Sequence, residues 1–328
     1  MKYLQLLALA GMAAAATMAA AAPPAPANPE PAPAEVHILP VQGNISMLVG
    51  AGGNITVQTG SDGVLLVDTG LAPMSAKVLA AVRSLSDKPI HYIINTHVHP
   101  DHVGGNEVIA KAGTTIAGGN VVGDIGTSAS NQATIIAFQT VLDRMSASGP
   151  GLTAAPEGAL PTDTYTTAQR NIYFNDEGVE LIHVPAAHTD GDTMVFFRRS
   201  DVISTGDIFV TNGYPIVDLE RGGNIQGVIA GLNRIIALAI PADEQEGGTL
   251  IIPGHGRLCD VADVVFYQEM VTIIRDRIQD LIKKGKTLEQ VKAARPTRDY
   301  DPRYGSSSGF WTTDKFVTAV YQSLSPKH

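Results

Sequence analysis

From Asn95 to Asn106 the chain reads Asn-Thr-His-Val-His-Pro-Asp-His-Val-Gly-Gly-Asn, so three histidines and one aspartate fall within six positions: His97, His99, Asp101 and His102. The apolar run Ile90 to Ile94 precedes them and predicts a strand. A loop leaving a strand end points alternate side chains into one cleft. Imidazole nitrogen and carboxylate oxygen are donors suited to zinc and other divalent first-row metals. Further donors recur in the same kind of place. His188 lies in the turn Pro185–Asp192, Asp207 closes Ser204-Thr205-Gly206-Asp207, and His255 sits in Ile252-Pro253-Gly254-His255-Gly256. Each follows an apolar run, so five histidines and two aspartates share one type of location. A metal cleft built from loops on a rigid scaffold needs that repetition.

The elements that position these groups are predicted from hydrophobic period. Ile45–Val49, Ile55–Gln58, Val64–Val67, Ile90–Ile94, Thr114–Ala117, Val179–Val184, Met194–Phe197, Val202–Ser204 and Leu250–Ile252 are expected strands. Pro73–Ser84, Glu107–Lys111, Ile225–Leu238, Val261–Lys284 and Leu288–Ala294 are expected helices. On Val261–Lys284 both Ile273 and Ile274 are assigned to one broad apolar face. The order of strands and helices implies an α/β domain of two packed sheets with helices outside. The stretch from Asn106 to Arg170, rich in Gly, Ala, Ser and Thr, is expected to cover the cleft.

Composition narrows the class. Of 328 residues, 44% are hydrophobic and 17% charged, which excludes a disordered chain. The net charge of −9 argues against a nucleic-acid partner. A single cysteine, Cys259, excludes an intrachain disulfide and a cysteine-based zinc finger. Residues 1–22 combine Lys2, an Ala-rich apolar run and Ala20-Ala21-Ala22, the pattern of a cleaved signal peptide. Residues 23–34 form a Pro/Ala-rich linker. The expectation is a periplasmic or secreted domain over residues 35–328, with no stable membrane insertion after cleavage.

At this point the chain resembles the metallo-β-lactamase superfamily of hydrolases across about residues 35–260. His97-x-His99-x-Asp101-His102 matches its signature, His188, Asp207 and His255 follow in its order, and Val67-Asp68-Thr69-Gly70 matches its upstream aspartate motif. The resemblance implies an αββα sandwich with two Zn2+ at one edge, Fe or Mn being compatible with the same donors. It implies that His97, His99 and His188 hold one ion, that Asp101, His102 and His255 hold the other, and that Asp207 bridges them. Asp68 is then a residue that orients a ligand. The best-known lactamase group carries Cys where Asp207 stands, so the set is more like that of thioesterases of the glyoxalase II type, lactonases and phosphodiesterases.

The implied activity is hydrolysis of an ester, thioester, lactone or related bond in a small molecule by a hydroxide bridging the two ions. The alternatives are β-lactam hydrolysis and a metal-binding scaffold without turnover. Asp101 is expected to act in catalysis as well as in binding, and Tyr214, with Asn212 and Gly213 beside it, to line the cleft and donate to a developing oxyanion. Arg257 is either an anion contact or a solvated charge, and Phe310-Trp311 either pack the C-terminus or cap the cleft. His91 and His183, inside strands, are expected to be structural. Replacing His99 or Asp207 by Ala should abolish hydrolysis and lower bound metal, measured by elemental analysis; full activity in a metal-free sample overturns the assignment.

Overall fold

The structure is a computed structural model that describes residues 35–116, 132–149, 153–244 and 247–325. The expected signal and linker segments lie outside the described residues. Among the described residues no helix is long and apolar enough to cross a membrane.

Among the described residues twelve strands form two sheets. The first, in spatial order, contains β1 (His37–Pro40), β2 (Ile45–Val49), β3 (Ile55–Thr59), β4 (Val64–Val67), β5 (Ile90–Ile94), β6 (Thr134–Phe138) and β7 (Asp163–Tyr165). Strands β1 to β4 run antiparallel to one another and β4 to β7 parallel. The second sheet contains β8 (Gln169–Phe174), β9 (Glu177–His183), β10 (Thr193–Phe197), β11 (Val202–Ser204) and β12 (Leu250–Ile252), with β11 and β12 parallel.

The period of two along the strands builds the layers. On β4, Leu65 and Val67 enter the core between the sheets, while Val64 and Leu66 pack outward with Val78 and Val82 of α1 (Ser75–Leu85). On β10, Val195 and Phe197 join the inter-sheet core. Met194 and Phe196 pack outward with α4 (Ile225–Leu238) and α5 (Val261–Lys283). Ile251 and Ile252 of β12 divide in the same way. Strands buried on both faces read as unbroken apolar runs rather than alternating ones. The result is the expected αββα sandwich. The C-terminal helix Thr313–Leu324 joins the outer layer through Phe316, Val317 and Val320.

Helix starts follow local chemistry. Asn224 accepts a hydrogen bond from Gln226 N, and Asp260 accepts one from Asp263 N. Thr287 and Gln290 form a reciprocal cap on Leu288–Ala293. Each satisfies amide donors that a first turn leaves open.

Several expectations are corrected. Thr114–Ile116 form no strand; Thr114 donates its amide to Ile90 O and accepts from His91 Nδ1, and Ala117 lies outside the described residues. The described parts of residues 106–170 are not a cover. They build β6, β7 and the helix Gln139–Ser146, and none of them lines the cleft. Pro73 belongs to a short 3-10 turn, Ala72–Met74, and the α-helix begins at Ser75. On α5, Ile274 is buried but Ile273 is exposed, because adjacent helical residues diverge by about 100°.

The inter-sheet core carries the sandwich, so Phe197→Ala, at a fully buried position, should cost roughly 3–5 kcal/mol. Urea denaturation of this variant against the wild type measures the loss.

Candidate metal centre

Strands β4, β5, β9, β11 and β12 all end at one edge of the sandwich. Parallel pairing aligns β4 with β5 and β11 with β12, and β9 runs the same way as β11 because β10 reverses between them. From these ends come Asp68, the 97–102 loop, His188, Asp207 and His255. Ligands of open α/β sheets collect at such carboxyl ends.

The loop after β5 is held shut by a pair of amides. Asn95 Nδ2 donates to Asn106 Oδ1 at 3.1 Å and Asn106 Nδ2 donates back to Asn95 Oδ1 at 2.8 Å. Thr69 Oγ1 also donates to Asn106 Oδ1, at 2.9 Å. Between these clamps His97 and His99 lie two apart, His97 in a bend and His99 with extended backbone. Asp101 and His102 open a four-residue helix, Pro100–Val103.

The seven expected donors come together as two groups. His97, His99, His188 and Asp207 offer atoms within 4.8 Å of one another, as do Asp101, His102 and His255. Asp207 lies between the groups: Oδ2 is 3.7 Å from His188 Nε2, and Oδ1 is 3.2 Å from His102 Nε2 and 3.5 Å from His255 Nε2. His255 Nε2 is 3.1 Å from Asp101 Oδ2.

The outer nitrogen of four of these imidazoles has a partner, and the partners fix the tautomers. His188 Nδ1 donates to Ile216 O at 2.7 Å, His99 Nε2 to Asp218 Oδ2 at 2.8 Å and His102 Nδ1 to Asp68 Oδ2 at 2.7 Å. Thr96 Oγ1 donates to Asp68 Oδ2 at 2.7 Å, which leaves it to accept from His97 Nδ1 at 3.0 Å. Each inner nitrogen therefore presents a lone pair. His188 Nε2 and His99 Nδ1 face each other at 2.8 Å, and His97 Nε2 and Asp207 Oδ1 are buried without a hydrogen-bond partner. Facing lone pairs and an orphaned carboxylate oxygen repel one another, and a cation among them removes the repulsion. This donor set fits a pair of metal ions.

Charge coupling agrees. Burial, with His102 and His188 beside it, holds the His97 imidazole well below its usual range, and burial holds His188 down to about 4. For His102, burial acts downward but the Asp207 and Asp68 carboxylates outweigh it and hold the ring well above its usual range. Burial pushes Asp207 up, yet His102 and His188 outweigh that and hold it well below the usual carboxylate range.

Two close approaches require glycine. A Cβ on Gly53 would lie 2.3 Å from the His102 ring, and one on Gly254 would lie 2.0 Å from Asp207 Oδ1. Asp68 has φ of 66°, a left-handed conformation that aspartate tolerates better than most residues. From there its carboxylate accepts from Thr96 N at 2.8 Å as well as from His102, so it positions a ring without reaching the cluster's interior.

The sequence model of the Metallo-beta-lactamase superfamily matches residues 48–255. The chain belongs to this superfamily. A curated superfamily relative, the linear primary-alkylsulfatase of a Pseudomonas strain, is 27% identical over 279 residues, covering 76% of this chain and 51% of the relative. The chain thus spans about half that protein's length. Among solved structures, the stereoselective inverting sec-alkylsulfatase Pisa1 from a Pseudomonas species aligns at a TM-score of 0.60 and 15% identity, over 88% of this chain and 50% of that one. The DIM-1 metallo-beta-lactamase aligns at 0.53 and 14%, over 73% of this chain and 97% of that one. At those identities the structural likeness is one of fold.

The superfamily cluster opens into a cleft of about 1040 Å³. His99, Asp101, Asp207 and His255 lie at one end, and Asn212 and Gly213 line it as expected. Tyr214 also lines it, but its hydroxyl is committed elsewhere, donating to Asp301 Oδ1 at 3.0 Å and Thr297 O at 3.2 Å, with its ring stacked on Phe316. The structure therefore does not bring the Tyr214 hydroxyl to the cluster, and its expected role as an oxyanion donor gives way to a packing role. Arg257 pairs with Asp263. Cys259 is buried, and burial pushes its thiol up to about 12, which leaves it inert. His91 Nδ1 donates to Thr114 O, and His183 stacks on Phe138; both stand outside the cluster.

Sequence patterns did not single out Asp218, whose turn carries no motif. Besides holding His99, it accepts from Arg221 Nη1 at 2.7 Å and from Arg221 N at 3.0 Å. Asp218→Ala should weaken metal binding roughly 10–100-fold, the usual cost of losing a group that orients a ligand. Competition against a chromogenic chelator reads this directly; unchanged affinity would count against the role.

Proposed function

We propose that this chain is an exported hydrolase with two zinc ions that cleaves an ester bond in a small molecule, and that sulfate esters of alkyl chains are the substrate class to test first. The observation that carries this reading is the inward convergence of seven nitrogen and oxygen donors at the mouth of a cleft. Zinc is favoured by the five imidazoles and two carboxylates, a set that also accepts Fe or Mn. Export rests on the pattern of residues 1–22. The substrate class rests on the alkylsulfatase relative together with the apolar residues Ile216, Val217 and Leu219 on the cleft wall.

Bound metal ions lower the pKa of water toward neutrality and polarise the bond to be cleaved. The chain's own residues do the rest. His97, His99 and His188 would hold one ion and Asp101, His102 and His255 the other, with one oxygen of Asp207 toward each group. Asp68 and Asp218 keep His102 and His99 turned so that a lone pair faces inward. Asp101, at 34% the most open of the acidic donors, borders the cleft and is placed to take a proton on a carboxylate oxygen. The apolar wall excludes water around the substrate.

A panel of an alkyl sulfate, a thioester, a lactone and nitrocefin tests the proposal. Hydrolysis of a sulfate or other ester that disappears with a chelator and returns with zinc is the expected result. Turnover of nitrocefin alone would move the assignment to a β-lactamase. Metal binding with no turnover of any member would leave a scaffold.

A further inference from the structure

The cleft is also bordered by the loop between the short helix Asp301–Tyr304 and the C-terminal helix Thr313–Leu324. The loop is closed at its base, where Thr313 N donates to Ser306 O at 2.9 Å and Ser306 N donates to Thr313 Oγ1 at 3.1 Å. Its tip carries Phe310 and Trp311. Lys315 fixes that tip, donating from Nζ to Phe310 O at 2.6 Å while lying 5.6 Å from the centre of the Phe310 ring.

Phe310 is 78% exposed, the highest among the large apolar side chains described. Other exposed aromatics are accounted for differently. The Arg303 guanidinium lies over the Phe266 ring, and Tyr173 sits on the edge strand β8, away from the cleft. Phe310 instead borders the same cavity as His99, Asp101, Asp207 and His255. Trp311 beside it packs against the outer core, and its indole N–H is buried without a partner. An exposed phenyl ring bordering a cleft that Ile216, Val217 and Leu219 also line is a surface suited to an apolar ligand.

We propose that the loop Ser306–Thr313 is the binding site for the apolar tail of the substrate, with Phe310 as a specificity-determining residue that selects for chain length. This deepens the hydrolase reading and rests on it for the identity of the ligand. The charged or ester end of an amphiphile would lie at the metal edge and its alkyl chain against Phe310. Covering an aromatic face with successive methylenes strengthens binding by up to about three- to fourfold each.

The chain contains one tryptophan, so emission from Trp311 reports on this loop alone. The full chain, loaded with zinc, is titrated with n-alkyl sulfonates of about four to ten carbons, whose carbon–sulfur bond is not an ester, and affinity is read against chain length. The expected result is a saturable change in emission, with affinity rising about two- to fourfold per methylene, and a slope at least halved in Phe310→Ala. Phe310 is exposed, so this variant should keep the wild-type melting curve. No change in Trp311 emission, or the same slope in Phe310→Ala, overturns the proposal. The two readings fail separately. Chain-length-dependent binding without turnover of any ester keeps the tail site and removes the hydrolase assignment. Ester hydrolysis indifferent to chain length does the reverse.

Discussion

Everything at the catalytic edge answers to one electrostatic problem: lone pairs that point at one another. His99 Nδ1 and His188 Nε2 stand 2.8 Å apart, while Asp207 Oδ1 and His97 Nε2 are buried with no proton shared to them. A carboxylate or imidazole in such surroundings would normally rotate toward a donor or water. None of these can. Ile216 O, Asp218, Asp68 and Thr96 each grip the far side of a ring. A cation placed among these donors meets lone pairs already turned toward it, so hydrogen bonds that never touch the metal contribute to its affinity.

Holding seven donors against their mutual repulsion needs a stiff base. The inter-sheet core supplies it, because residues such as Leu65, Val67, Ile94, Val195, Phe197 and Ile252 come from both sheets and lie directly behind the loops. Close packing transmits position, so the loops inherit the rigidity of the strands they leave. Glycine at 53 and 254 completes the arrangement by letting backbone approach where a methyl group would displace His102 or Asp207. The wall of the cleft has a different foundation, in the outer layer of helices around Val264, Ile274 and Phe316.

How much of this could be read from sequence depended on the range of the interaction. The seven donors were legible because each sits in a short local pattern after an apolar run, and the alternation along strands is likewise local. Edge strands were less so. On β8, three polar residues open Gln169–Phe174 and the inward-facing Ile172 and Phe174 come only at its end, so its start carries no apolar signal. Strand β6 was hidden in a stretch whose Gly, Ser and Thr content looks like loop, although Thr134–Phe138 is itself apolar. The Tyr214 hydroxyl could not have been placed, since its partners at Thr297 and Asp301 come from a distant part of the chain. Asp218 was invisible for the same reason: its importance lies in reaching His99, 119 positions earlier.

The segment from Ile216 to Asn224 serves two ligands at once. Ile216 O holds the ring of His188, Asp218 N donates to His188 O, the Asp218 carboxylate holds His99, and Asn224 N donates to Ala187 O. Lengthening this segment by one residue would detune both imidazoles together, so its length is locked to the chemistry. The loop that carries Phe310 makes no described hydrogen bond to any of the seven donors; it is held by the C-terminal helix and by Trp311 packed on the outer core. A change in the length or side chains of that loop would therefore alter the cavity wall while leaving untouched the hydrogen bonds that orient the seven donors.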